Sequence, residues 1–192
     1  MAFFLSSVDE NAGCSDVFDE KVRLRSVPQP TRHILSKAGA GMPVTEIDTW
    51  LGRLSIHETD GAITQLLWNG SGRKEETPVL KEAAAQLQAY MNGKLEKFDL
   101  PLSPKGGDLH QAVFRAMLAI PFGETRTYGD VARELDTYGQ PVGQACGANP
   151  IPIIIPCHRI LSANGLGGFS GSGGTETKIA LLKHEGGYPF LV

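Results

Sequence analysis

Asn149-Pro150-Ile151-Pro152-Ile153-Ile154-Ile155-Pro156-Cys157-His158-Arg159 is the stretch from which the rest of the chain is read. Prolines at 150, 152 and 156 donate no backbone hydrogen bond, so Ile153 to Ile155 can form only a short buried run. The run delivers Cys157 and His158 onto a stiff turn directly after Pro156. An apolar approach, a sulfur nucleophile and an adjacent imidazole meet the needs of a buried thiolate. Cys157 alone reads more simply as core, because free cysteine is among the most buried residue types. The adjacent His158 and Arg159, the proline brace and the glycine-rich loop at 165–174 favour the reactive reading.

Composition narrows the classes. At 192 residues the chain suits one large domain or two small ones. Its 41% hydrophobic and 20% charged residues are ordinary for a globular protein. No run is long enough to span a bilayer, and Met1 to Leu5 has no basic flank, so neither a membrane anchor nor a signal peptide is expected. Three scattered cysteines make no disulfide framework and fit a reducing compartment. They make no zinc site either: there is no Cys-x-x-Cys pair, and Cys14 has only His33 near it in sequence. The net charge of −3 and pI of about 5.9 are unlike those of a nucleic-acid binder. From Leu109 onward six basic and six acidic residues cancel, so phosphate contacts would rest on a few placed cations, backbone amides and helix N-termini.

Residues 1–46 show no sustained period and read as an N-terminal extension, partly disordered or laid against the domain. From Thr49 a hairpin emerges: Leu54 and Ile56 alternate with polar residues, Asp60-Gly61 turns, Ile63 to Trp68 returns, and Asn69-Gly70 closes. Thr77-Pro78 starts a helix with Leu80, Ala84, Leu87 and Met91 on one face, ended by Asn92-Gly93. Residues 47–100 thus read as a small α/β (α+β) unit with a sheet and a helix, and 101–107 as a linker. Residues 108–192 read as mainly helical. Asp108 caps a helix facing inward through Val113, Phe114, Met117 and Leu118; Thr127 caps the next, with Asp130 completing a capping box. A turn at 137–140 leads to a third helix over Val142 to Gly147, giving a helix-turn-helix.

The quoted segment resembles the active-site motif of the O6-alkylguanine-DNA alkyltransferases, which strip alkyl groups from guanine in DNA onto their own cysteine. In that family an Asn hinge precedes a Pro-Cys-His-Arg motif, and Asn149 stands eight residues before Cys157. The resemblance continues through Gly165 to Gly171 and Lys178 to Glu185. Upstream it takes in Ile120-Pro121-Phe122-Gly123 and Thr127-Tyr128-Gly129. Residues 105–187 are covered closely and 49–100 loosely.

The resemblance implies irreversible alkyl transfer to Cys157, with one turnover per molecule and no cofactor. His158 would take the thiol proton, directly or through a water, and Glu185 would hold the imidazole. Tyr128 would donate a proton to the guanine, and Ser170 with nearby amides would meet O6. The base must leave the duplex, into a pocket of Tyr128, Phe169 and the glycines at 167, 168 and 171. The second helix of the pair would enter the minor groove of double-stranded DNA, its small residues, Gly143 among them, permitting close approach. Asn149 and Arg159 join the expected DNA-contacting set. From position alone, Glu185 reads better as a solvated helix end, His184 as a surface helix residue and Cys146 as a buried small hydrophobe.

One departure stands out. The family carries an arginine nine residues before the Asn hinge, filling the gap left by the flipped base, and here that residue is Gln140, followed by Pro141. Gln can hydrogen-bond an orphaned base but lacks a guanidinium's charge and stacking plane. Two other readings stand beside suicide transfer. One is a lesion-recognition protein like the alkyltransferase-like proteins, which replace the nucleophile; the other is a Cys-His hydrolase, which turns over. A monomer is expected, intracellular, in the cytoplasm of a prokaryote or the nucleus of a eukaryote.

Overall fold

The computed structural model describes residues 42–68, 70 and 72–187. The expected extension as far as residue 41, with Cys14 and His33, lies outside the described residues, as does Asn69.

The N-terminal half is an antiparallel sheet of β1 (Val44–Thr49), β2 (Gly52–Thr59) and β3 (Ala62–Leu67), in that order. Asp60 and Gly61 both take positive φ, 51° and 78°, which suits a two-residue hairpin turn. β1 was not expected, and its first three residues fall within the stretch read as extension. Its apolar residues, Val44 and Ile47, are an odd number apart and point to opposite faces, so no alternation marks it as a strand. Pairing of Ile47 with Leu54 and of Val44 with His57 makes the strand instead.

Helix α1 (Pro78–Met91) begins as the sequence predicts, with the Thr77 hydroxyl accepting from the Leu80 amide and proline in the first turn. Thr77 also donates to Glu58 on β2, tying the helix start to the sheet. Leu80, Ala83 and Leu87 pack on Leu54, Ile56, Ile63 and Leu66. Burying each leucine or isoleucine contributes about 1.5–3 kcal/mol. The expected linker is partly structured: Ile63 donates to the Pro101 carbonyl and Ser103 to the Ile63 carbonyl, bridging Leu102 to β3.

The C-terminal half runs α2 (Asp108–Leu118), β4 (Arg126–Thr127), α3 (Tyr128–Glu134), α4 (Gly139–Gly147), β5 (Ile160–Leu161) and α5 (Gly174–His184). β4 and β5 pair in parallel. Gly107, not Asp108, is the N-cap of α2; Asp108 lies inside the first turn, where its charge faces the positive end of the helix. The Thr127–Asp130 capping box forms in full. α4 starts three residues before the expected Val142. Pro141 sits in its first turn, where a missing N–H has no intrahelical acceptor to lose. One core joins both halves, from Leu54 and Leu87 through Met117 and Val131 to Ile151 and Cys157.

Candidate active site

Cys157 rides on a single 3-10 turn, Cys157–Arg159, reached through the proline-rich loop. Asn149 braces that loop from within: its side chain accepts from the Ile151 amide at 3.0 Å and donates to the Ile155 carbonyl at 2.8 Å. The brace holds Ile153 at a φ of 73°, a left-handed conformation that costs a β-branched residue on the order of 1–3 kcal/mol. β3 adds a further tie through Leu66 N–H to the Pro150 carbonyl, 2.9 Å. Sequence periodicity signals none of this strain; the structure places it four residues before the nucleophile.

Behind the turn lies a buried network centred on Glu185. Its carboxylate meets His158 Nε2 at 2.8 Å, Arg159 Nε at 2.8 Å and Nη2 at 2.9 Å, and the Tyr90 hydroxyl at 2.7 Å. The Glu185 side chain is 1% exposed, so the solvated-helix-end reading is excluded. Arg159 also donates inward through Nη1 to the Ile120 carbonyl at 2.6 Å. This corrects the expectation that Arg159 contacts DNA: a buried guanidinium bound on both sides clamps the carboxylate. His184 is corrected too. Half-buried, it bonds the Tyr90 carbonyl at 2.7 Å and packs its ring on Trp50, Tyr90 and Phe122.

Burial alone would raise the Glu185 pKa, but hydrogen bonds from His158 and Arg159 outweigh it and bring it down to about 2. Burial lowers the His158 pKa despite the carboxylate, with Arg159 and Lys178 adding to the effect. The consistent state is a glutamate anion and a neutral imidazole whose Nε2–H donates to it. Nδ1 is then the basic nitrogen, and among the described residues it has no hydrogen-bond partner. Burial likewise raises the Cys157 thiol, opposed by a hydrogen bond from Asn149, the charge of Lys178 and nearby backbone amides. Cys157 rests as a thiol with donors in place for its thiolate.

The acid-side consequence is specific. Glu185 titrates near 4.5 when unfolded and near 2 when folded, so the stability it contributes is present above pH 4.5 and lost as pH falls toward 2. At about 1.4 kcal/mol per unit this is roughly 3 kcal/mol. His158, neutral when folded, takes up a proton on unfolding below its ordinary value of 6.5, which acts in the same direction. The unfolding temperature should therefore decline from about pH 6.5 and more steeply below 4.5, the latter component disappearing in Glu185→Gln. A flat profile from pH 6.5 to 3 in thermal melts would contradict these assignments.

In front of Cys157 opens a cavity of about 240 Å³. Tyr128, Gly143, Cys146 and Gly147 form one wall; Gly168, Phe169 and Ser170 form the other. Gly167 underlies the second wall with a φ of 68°, where a Cβ would approach the Tyr128 ring to 3.0 Å. Burial raises the Tyr128 hydroxyl pKa, so it remains a protonated donor. Lys178 lies fully buried beneath the glycine loop, its ammonium donating to the carbonyls of Ile160 and Leu166 at 2.5 Å and Gly168 at 3.2 Å. Burial pulls its pKa down to about 8. Three carbonyl acceptors match the three hydrogens of the ammonium, and none could serve the lone pair of an amine. Lys178 therefore pins the glycine loop and places a cation near Cys157.

Of the residues singled out in the sequence, Tyr128, Gly143, Phe169 and Ser170 join Cys157 at the cavity, with Asn149, His158 and Glu185 directly behind it. Gln140 stands exposed in the first turn of α4, away from the cavity lining. Sequence reasoning gave no role to Lys178 or Tyr90. An ionisable residue among the apolar residues of an amphipathic helix is the signal that marks Lys178. Among the described residues no cluster of three metal-ligating side chains occurs, and no helix is long and apolar enough to cross a membrane.

A thiol on a braced turn, a buried Glu–Arg–His cluster behind it and a helix-turn-helix forming one cavity wall define a cysteine-centred protein with a DNA-binding type of fold. Residues 44–104 match the 6-O-methylguanine DNA methyltransferase ribonuclease-like domain, and residues 108–187 match the DNA-binding domain of the same family. The constitutive methylated-DNA–protein-cysteine methyltransferase of Bacillus subtilis is 40% identical over 158 residues, 73% of this chain and 93% of that protein. The Methanosarcina acetivorans protein of that name is 44% identical over 115 residues, 58% of this chain and 72% of its own. Among solved structures, the O6-methylguanine methyltransferase of Mycobacterium tuberculosis superposes with a TM-score of 0.68 at 35% identity, covering 76% of this chain and 93% of that one. A structure of the Mycobacterium tuberculosis protein with DNA gives 0.66 at 37%, covering 74% and 92%. The chain belongs to the 6-O-methylguanine DNA methyltransferase family.

Proposed function

We propose that this protein repairs DNA by moving an alkyl group from O6 of guanine irreversibly onto Cys157. The observation that carries the reading is the cavity that exposes Cys157 with a neutral His158, polarised by Glu185, behind it. Alkylated guanine in duplex DNA flips into the space between Tyr128 and Phe169, α4 lying in the minor groove. The thiol proton passes through a water to His158 Nδ1, and Glu185 stabilises the imidazolium across Nε2–H. Lys178 and the Asn149 amide stabilise the thiolate. Sulfur then bonds to the alkyl carbon as the carbon–O6 bond breaks, its electron pair staying on the guanine. Ser170 meets O6, and the Tyr128 hydroxyl supplies a proton to the base. The thioether has no leaving group, so each chain acts once, as a monomer, in the compartment that holds the genome.

Retention of Cys157 favours transfer over lesion recognition alone. Stoichiometry separates transfer from hydrolysis: one equivalent of protein should restore one equivalent of O6-methylguanine in duplex DNA and then stop. Continued turnover would overturn the reading.

Gln140 occupies the finger position on α4, exposed and without charge. Gln140→Arg should raise single-turnover transfer on duplex DNA by about tenfold, roughly 1.4 kcal/mol, with a steeper salt dependence. The gain should be small on single strands, where no partner base is orphaned. An equal gain on both would mean phosphate attraction only; no gain on either would place the flipping device elsewhere.

A further inference from the structure

Just past the end of the N-terminal sheet, a residue that no step above uses packs against the cavity wall. Trp68 follows directly after β3 and packs edge-on against Phe169, ring centroids 6.3 Å apart and planes at 88°. Phe169 is the largest side chain on the glycine-loop wall of the cavity. The contact has no slack: a Cβ at Gly171 would come within 2.4 Å of the Phe169 ring and 2.8 Å of the Trp68 ring at the same time. Leu66, two residues before Trp68, binds the Pro150 carbonyl of the nucleophile loop. The end of β3 therefore touches both the Cys157 support and the opposite wall.

We propose that Trp68 is a positioning residue that fixes Phe169, and with it the cavity width between the glycine loop and α4, so that it governs capture of the flipped base and not the transfer step. The physical basis is the edge-to-face contact. Such a pair restricts ring orientation as well as burying apolar area. Phe169 otherwise sits on a glycine-rich loop that Lys178 anchors from below through the Leu166 and Gly168 carbonyls. The hydrogen bonds that hold His158 and Glu185 among the described residues run to Tyr90, Gly123 and Arg159, and not to Trp68.

The inference rests on the alkyl-transfer reading, so the test carries wild type beside each variant. Single-turnover transfer from O6-methylguanine duplex is measured against protein concentration. Trp68→Ala should raise the half-saturating concentration about tenfold while leaving the limiting rate within about twofold, and Trp68→Phe should restore most of the affinity. Gly171→Ala, which leaves Trp68 in place but drives the two rings apart, should weaken capture in the same way. The Trp68→Ala and Phe169→Ala effects on affinity should be strongly non-additive. Additive effects, a fall in limiting rate at constant half-saturation, or no change in either variant would overturn the positioning role. Absence of transfer by wild type would instead overturn the function on which it rests.

Discussion

Cys157→Ser should abolish alkyl transfer while leaving the fold and the capture of alkylated DNA in place. A hydroxyl is close in size to the thiol, so the braced turn and the cavity persist. Yet the groups that make a thiolate accessible here, an Asn149 hydrogen bond, the Lys178 charge and a neutral imidazole, fall far short of ionising an alcohol. The rate should drop by at least about a thousandfold, equivalent to roughly 4 kcal/mol on the barrier. Cys146→Ala should retain stoichiometric transfer. Cys146 borders the same cavity, but burial pushes its thiol up to about 12, and its sulfur turns toward Met117 Sδ at 3.8 Å. Single-turnover assays on both variants separate two thiols that sequence distinguishes only by their neighbours. Residual transfer by Cys157→Ser at more than about a hundredth of the wild-type rate would place the nucleophile elsewhere.

Glu185 should show the largest effect on stability. Truncation to alanine leaves the buried Arg159 cation without its counter-charge and the Tyr90 and His158 donors without an acceptor. Breaking a buried pair in this manner costs about 3–5 kcal/mol, a large share of the ordinary stability of a domain. Glu185→Gln keeps the shape and some of the hydrogen bonds but removes the charge that stabilises an imidazolium at His158. It should fold with a smaller loss and slow transfer by about a hundredfold or more, with lesion binding nearly intact. Binding and transfer titrations of the Gln variant distinguish the two roles. An equal fall in both would make Glu185 purely architectural.

Contiguity explains much of what could be read in advance. Cys157, His158 and Arg159 adjoin in sequence, and the caps at Thr77 and Thr127 are local signals that need no tertiary partner. Glu185 lies 26 residues beyond Arg159 and reached the site only through family resemblance. Its position before a glycine looks solvated until α5 is docked. Arg159 enters the expected DNA-contacting set from its place in the motif, whereas its acceptors, Glu185 and the Ile120 carbonyl, come from distant segments. Lys178 finds its partners among backbone carbonyls, which sequence never displays. β1 exists through pairing with β2, since its own residues lack alternation. The fold class was legible because it follows from periodicity and caps. The rear of the site was not, because burial and long-range hydrogen bonds create it.

Retention of the alkyl group by Cys157 is open to direct measurement. The direct measurement is the intact mass of the full chain after incubation with duplex DNA carrying O6-methylguanine, followed by peptide mapping. The expected result is one added methyl per chain, located on Cys157, with Cys14 and Cys146 unmodified and the lesion restored in equal amount. Restored guanine with an unmodified chain, or a methyl group on either of the other cysteines, would contradict it.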